Sequence, residues 1–429
     1  MPTLSVESEA YAIECDATDP LAVFRDRFFV QPDTIYLDGN SLGLLSRDSE
    51  IAVLRALKAW KTHGIHGWMN ADPPWFTLGE SLGRRMAALV GAKAESVIVT
   101  GTTTVNLHQM LATFYTPAGT RSKIVATSLD FPSDVYALQS QIRLRGGNPD
   151  TDLILVESHD GRTIDEADLI AALSPDVALL MVPTVLYRSG QLLDIGRLAA
   201  AAHEHGVLIG VDAAHSVGAL PHAYDEWDID FAIWCSYKYL NAGPGAVGAL
   251  YVNPRHFDRL PALAGWWGYR KDKQFDMAHH WEGAAGAGAW QISTVPLLST
   301  SALLGSLSIT EEAGIDAIRT KSLAQTDFII DLIEATGLTI DPYIYRIGTP
   351  LDHSRRGGHV SVEHDDAARI AIALRNRGMI VDFRQPNVIR IAPIALYTTW
   401  HDLWRTIHAL RDIIDSGDHL HVDTSGPVT

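Results

Sequence analysis

The sequence predicts an α/β fold, a mainly parallel sheet covered by helices on both faces, followed by a smaller α+β unit. Three observations carry this reading. Short apolar runs alternate with helix-like runs through the middle of the chain. Those runs are nearly solid apolar rather than alternating, as in a sheet buried on both faces. After about residue 300 the pattern changes to a long helical stretch, then short strands with helices between them.

In chain order, "SVIVT" (Ser96–Thr100) is short and β-branched. Behind it Leu107, Met110, Leu111 and Phe114 share one helix face. The strands "KIVAT" (Lys123–Thr127), "DLILV" (Asp152–Val156) and "VALLMVPT" (Val177–Thr184) follow. "DIGRLAAAAHEHG" (Asp194–Gly206) reads as an alanine-rich helix that stops at glycine. "VLIGVDAA" (Val207–Ala214), "DFAIWCSY" (Asp230–Tyr237) and "VGALYV" (Val247–Val252) complete the series. Beyond it come a helical stretch around Ser301–Ala335, a strand "HVSVE" (His359–Glu363) and a capped helix over Asp365–Gly378. Strands "MIVDF" and "VIRIAPI" and a last amphipathic helix through "TTWHDLWRTIHALRDII" close the unit. The expected organisation is an N-terminal segment (1–45) packed with the small unit, a large unit (46–300), a small unit (301–420) and a tail (421–429). Fraying is expected from "SGDHLHVDTSGPVT" onward.

Composition bounds the function. The 429 residues, 47% hydrophobic and 20% charged, suffice for a large core plus a second unit. A net charge of −17 argues against nucleic acid as the main partner. Two cysteines, Cys15 and Cys235, give no disulfide framework and point to a reducing cytoplasm. The acidic start lacks the features of a signal peptide, and no apolar run reaches the ~18–20 residues of a membrane span.

In open α/β sheets ligands bind beyond the C-terminal strand ends, so the chemistry is sought there. "TGTTTVNLH" (Thr100–His108) is a turn with hydroxyls leading into a helix, which either cups a phosphate or merely caps itself. Asp212, in "VDAAHSVG", breaks an apolar strand with His215 close behind. A carboxylate there caps the next turn, binds a metal with His215, or holds a protonated ring nitrogen. Lys238 follows the core run "DFAIWCSY", and its ammonium either snorkels to solvent or serves as a nucleophilic amine. "FPSD" (Phe131–Asp134) offers a flat ring or a simple turn. Together the four supply what pyridoxal phosphate requires: an imine-forming lysine, an acid for the pyridine nitrogen, a stacking ring and a phosphate cup.

These stretches, with "YLDGNSLG" (Tyr36–Gly43), "CSYKYLNAGPG", "GWWG" (Gly265–Gly268) and "IRIAPIALY" (Ile389–Tyr397), resemble the kynureninases. Those are pyridoxal-phosphate-dependent hydrolases of fold type I, related to the class V aminotransferases, and the likeness runs from about residue 36 to 400. The resemblance implies Lys238 as the Schiff-base lysine and Asp212 as partner of the pyridinium nitrogen, with His215 near the ring. It implies Phe131 stacked on the ring with Ser133 and Asp134 beside it. Thr103, Thr104, Tyr237 and Trp266 would surround the phosphate. Arg390 would clamp the substrate α-carboxylate, with Asn40, Ser41 and Trp68 also at the substrate. A homodimer is implied, with Trp266 and Thr294 reaching across from the partner. Pro183 stands where the family often has a small hydroxyl residue, with Thr184 next to it. Trp68 and Thr294 resemble the bacterial type, which prefers L-kynurenine over its 3-hydroxy form.

The implied reaction is hydrolytic cleavage of L-kynurenine to anthranilate and L-alanine in tryptophan catabolism or nicotinamide synthesis. Lys238 would move the Cα proton, and Tyr237 would act as proton donor and relay. The residues alone leave open an aminotransferase or desulfurase of the same fold, a metal hydrolase built on Asp212 and His215, and an inactive binding module. Neither cysteine stands in an evident mobile loop, no HExxH motif occurs, and a merely structural site would not need Lys238, Asp212 and Arg390 together.

Overall fold

The computed structural model of the chain describes residues 4–423. Seven strands form the main sheet: β1 (Val97–Val99), β2 (Lys123–Thr127), β3 (Leu153–Val156), β4 (Val177–Pro183), β5 (Leu208–Asp212), β6 (Phe231–Cys235) and β7 (Gly248–Val252). Their order is β1-β7-β6-β5-β4-β2-β3. The pairs from β6 through β5, β4 and β2 to β3 are parallel, and β7 alone runs antiparallel to its neighbours. Every run read as a strand between residues 96 and 252 lies in this sheet, a residue or two shorter at most ends.

Helices cover both faces, which explains why the strands carry little polar alternation. The longer ones before residue 210 are α1 (Glu9–Ala17), α2 (Arg47–His63), α3 (Leu78–Leu89), α4 (Thr103–Phe114), α5 (Pro132–Leu144) and α6 (Ile195–Glu204). On α4, Leu107, Met110, Leu111 and Phe114 are at most 1% exposed. Burying each such side chain contributes roughly 1.5–3 kcal/mol, so this face alone anchors the helix to the sheet. Opposite, Leu82, Met86, Leu198, Leu303 and Leu307 share a second core cluster. The sequence reading gave no element over α2 and α3. On α2 the apolar residues Ile51, Leu54 and Trp60 stay exposed rather than marking a buried face.

The helical stretch expected around Ser301–Ala335 is two helices, α7 (Leu297–Ala313) and α8 (Ile315–Ala335). They break at Gly314, whose φ of +78° lies where only glycine sits without strain. Residue 300, expected to end the large unit, therefore falls inside α7, which packs along α2. A second sheet holds β8 (Arg346–Ile347), β9 (Val360–Glu363), β10 (Asp382–Arg384) and β11 (Val388–Ile391), all antiparallel, in the order β10-β11-β9-β8. Helices α9 (Ala367–Asn376) and α10 (Trp400–Ser416) pack with it. Of the caps expected on α9, Asp366 makes no side-chain bond at the start but Gly378 (φ +79°) stops the end, whereas Thr399 and Asp402 form a full capping box on α10.

The N-terminal segment meets this second sheet. Asp16 accepts hydrogen bonds from the backbone N–H of Trp400 (2.7 Å) and His401 (3.0 Å) at the positive end of α10. Asp19 pairs with Lys321 at 2.6 Å, both nearly buried. Residues Ile35–Tyr36 run parallel to Met379–Ile380. At the other end, fraying does not begin at Ser416. Asp418–His421 forms a helical turn with His419 buried, and the expected tail beyond residue 423 lies outside the described residues. Among the described residues no helix is long and apolar enough to cross a membrane.

Candidate active site

The ends of β1, β2, β4, β5 and β6 converge on one cleft. After β1 the chain turns at Gly101 (φ +56°), where a Cβ would stand 2.1 Å from Asn106 Oδ1, and enters α4. Thr102, at the cap position, places no side chain on the first-turn N–H groups. Thr103 Oγ1 is buried with no partner, and Thr104 Oγ1 lies 2.7 Å from Ser133 Oγ. After β2, Pro132 opens α5 at a position that suits its missing N–H, and Phe131 precedes it with its ring 45% exposed. After β5, Asp212 accepts from Ala214 N at 2.9 Å. After β6, Tyr237 and Lys238 are half-buried, with the Lys238 ammonium 5.9 Å from the centre of the Tyr237 ring. Gly43 N donates to the Tyr237 carbonyl at 2.8 Å, and a Cβ on Gly43 would stand 2.6 Å from the Lys238 carbonyl oxygen. The loop of residues 38–43 thus presses directly on the lysine turn.

Burial sets the protonation of the site. Desolvation, then the charge of Asp212, holds Asp134 well above the usual carboxyl range. Asp212 itself is raised by burial, against the opposing pull of the Lys238 charge, the Ala214 N–H and Asp134. Asp130, beneath them, is pushed up to about 7 by burial, with Asp212's charge adding to the rise and two hydrogen bonds from Thr127 opposing it. His215 is held well below its ordinary value by burial and by the charges of Lys238 and Arg390, so its ring is neutral, and Nδ1 has no partner. Burial raises the Tyr237 phenol, which keeps its proton at neutral pH.

Arg390 lies in β11, 1% exposed. Its Nε donates to Asp382, Nη1 to the Tyr187 carbonyl (2.7 Å) and Nη2 to Ser41 Oγ (3.1 Å). Nη2 also pairs with Asp382, so the one donor of the fork without a protein partner is on Nη1. Asn40 is fully buried beside this group with both amide atoms unpaired, and burial pushes Asp38 up to about 6.

A family model, the kynureninase C-terminal domain, matches residues 318–410. A kynureninase of Bacillus anthracis is 53% identical over 418 residues, 97% of each chain. The chain belongs to the kynureninase family. The kynureninase of Geobacillus thermodenitrificans is 54% identical over 404 residues, 94% of each chain. Among solved structures, the apo cysteine desulfurase of Thermococcus onnurineus has a TM-score of 0.78 at 17% identity, covering 93% of this chain and 98% of its own. A C-DES variant with glycine covalently linked to its PLP cofactor has a TM-score of 0.77 at 19% identity, covering 90% of this chain and 99% of its own. These likenesses establish a fold that kynureninases share with the desulfurases.

Of the kynureninase residues read from the sequence, Thr103, Thr104, Phe131, Ser133, Asp134, Asp212, His215, Tyr237 and Lys238 all line the cleft. Asn40, Ser41 and Arg390 gather behind it rather than on its lining. Trp68 and Trp266 stand outside it, each packed on Trp267 with ring centres 5.3 Å and 5.9 Å away, and Thr294 is exposed. Pro183 lines the cleft, whereas the Thr184 hydroxyl is buried off it with no partner, so Thr184 does not stand in for the expected hydroxyl. The sequence reading missed Leu129, Val185, Tyr187 and Ala214, which also line the cleft. Val185 and Tyr187 follow β4, a strand end where the same search was not made, so the rule that found the others would have found them.

Proposed function

We propose that this chain hydrolyses the Cβ–Cγ bond of L-kynurenine, with pyridoxal 5'-phosphate as cofactor, to give anthranilate and L-alanine. The observation that carries the reading is a half-buried lysine, a buried carboxylate and an uncapped helix N-terminus on one cleft in a chain 53% identical to a kynureninase. The residues fit the cofactor. The orphaned Thr103 hydroxyl and the free end of α4 suit a phosphate, and Asp212 suits a protonated ring nitrogen. The partnerless His215 Nδ1 and the exposed Phe131 face suit a planar ring with polar substituents. When bound, that group acts as an electron sink for negative charge on the substrate α-carbon.

The chain's own residues do the rest. Arg390 offers its guanidinium charge and its remaining N–H to the substrate α-carboxylate, with Ser41 beside it. Lys238 Nζ takes the proton from Cα and returns it later in the cycle. Asp212 faces the charge of Lys238, the N–H of Ala214 and the Asp134 side chain, all of which favour its ionised form. Tyr237 keeps its proton at neutral pH and is the donor to the carbon left when water has added to the γ-carbonyl and the Cβ–Cγ bond has broken. A desulfurase reading is disfavoured because Cys235 is buried in β6 and Cys15 is half-buried on α1.

We further infer a homodimer that completes the site. The reading is supported by the exposed apolar residues Ile51, Leu54 and Trp60 on α2 and by Trp68, Trp266 and Thr294 lying off the single-chain cleft. The preference for L-kynurenine over its 3-hydroxy form, a cytoplasmic setting and the division into large and small units belong to the same reading. Mixing the holoprotein with L-kynurenine and following anthranilate fluorescence tests the reaction. Release of anthranilate by wild type and none by Lys238→Ala is expected. Amino transfer to a keto acid without anthranilate would sink the reading.

A further inference from the structure

The strand end that the sequence reading passed over carries a turn that touches both halves of the site. β4 ends at Pro183, and the chain folds back through a hairpin bridged between Val185 and Leu192. Leu186 N donates to the Gln191 carbonyl (2.8 Å) and Gly190 N to the Leu186 carbonyl (2.9 Å). The hairpin is tied to the smaller sheet as well. Gly357 N donates to the Gly190 carbonyl (2.7 Å), Leu192 N to the Arg355 carbonyl (2.8 Å) and Thr349 Oγ1 to the Ser189 carbonyl (2.6 Å). Ser361 Oγ donates to the Arg188 carbonyl. The backbone at the turn is therefore fixed against both sheets.

Tyr187 sits at that turn. Its carbonyl accepts from Arg390 Nη1 at 2.7 Å, and its ring lies edge-to-face on Phe131, centres 5.3 Å apart at 83°. A neutral carbonyl orients the guanidinium plane without cancelling its charge. The ring packs against Phe131, which is 45% exposed with this contact in place. We propose that Tyr187 is a positioning residue of this reaction, setting the Phe131 face on one side and the Arg390 fork on the other. The inference rests on the site reading above, with Phe131 against the cofactor and Arg390 against the substrate carboxylate. One residue then fixes the register between them, and a small error in such a register is costly in rate.

The test compares Tyr187→Leu, which keeps the carbonyl and loses the ring, with Tyr187→Phe, which keeps both. Cofactor affinity is read by absorbance titration without substrate, and kcat and KM for L-kynurenine are read on the holoenzyme. An edge-to-face pair is worth a factor of about 2 to 12, so Tyr187→Leu should weaken cofactor binding and lower kcat by that range. KM should change less, because the carbonyl still holds Arg390. Tyr187→Phe should restore both. Wild-type affinity and kcat in Tyr187→Leu overturn the proposal, and so does a Tyr187→Phe as impaired as Tyr187→Leu. A loss that follows only a lowered Tm, with the remaining folded fraction fully active, also overturns it. The substrate-free titration reads the effect even if wild type releases no anthranilate, which separates this failure from failure of the reaction reading.

Discussion

Asp134, held well above the usual carboxyl range beside Asp212, gives a sharp test of how the site keeps its key charge. Asp212 is buried and raised by desolvation, so its ionised form depends on the charge of Lys238 and on the hydrogen bonds it receives. Two of these come from Ala214 N at 2.9 Å and from the Asp134 side chain. Asp134→Ala removes a neutral donor to a buried anion, an interaction worth about 1.5–3 kcal/mol, or roughly 10- to 150-fold. Asp134→Asn keeps a neutral donor on the same side chain and should stay within about threefold of wild type. The sign of the pH effect follows. Asp212 must be ionised to work, and losing a bond to the ionised form raises its pKa further. The acidic limb of kcat/KM for kynurenine should therefore move to higher pH in Asp134→Ala and stay in place in Asp134→Asn. The assay is anthranilate release across pH at saturating cofactor, with cofactor affinity measured in parallel. An Asp134→Asn variant as impaired as Asp134→Ala would refute the reasoning, because it would mean that Asp134 acts as a charge. So would an acidic limb that moves to lower pH in Asp134→Ala.

Three further outcomes follow from the same physics. The Asp130 carboxyl, pushed up to about 7, favours folding while protonated, and that stability is lost as pH rises towards 7. Relative to wild type, Asp130→Asn should gain roughly 2–3 kcal/mol between pH 5 and pH 8, read by denaturant unfolding at each pH, and a flat difference contradicts the assignment. Buried Asp230 accepts from His256 Nε2 (2.6 Å), Ile209 N (2.7 Å) and Arg255 Nε (3.2 Å), away from the cleft. Asp230→Ala should cost about 3–5 kcal/mol of stability while leaving kcat of the folded enzyme unchanged. Trp60→Glu, at an exposed position on α2, should weaken self-association by about 30-fold or more in sedimentation, and an unchanged dimer removes that residue from the interface.

Much of the fold was legible because its signals are local. Solid apolar runs marked all seven strands of the main sheet, and the face of Leu107, Met110, Leu111 and Phe114 marked α4. Lys238 and Asp212 stood out because a charge beside a core strand is expensive unless it has a task. The break at Gly314 was less legible, since the helical pattern continues on both sides of it. Trp68, Trp266 and Thr294 entered by resemblance alone, and in one chain they lie off the cleft.

By itself the sequence determined which segments become strands and which strand ends carry reactive groups, because periodicity and the cost of desolvation act along the chain. Only the tertiary structure decided that Tyr187 joins Phe131 to Arg390, that burial raises Asp134 beside Asp212, and that most of Arg390's donors are already engaged. Those facts depend on distance and burial between residues far apart in the chain, and no local pattern encodes a through-space field.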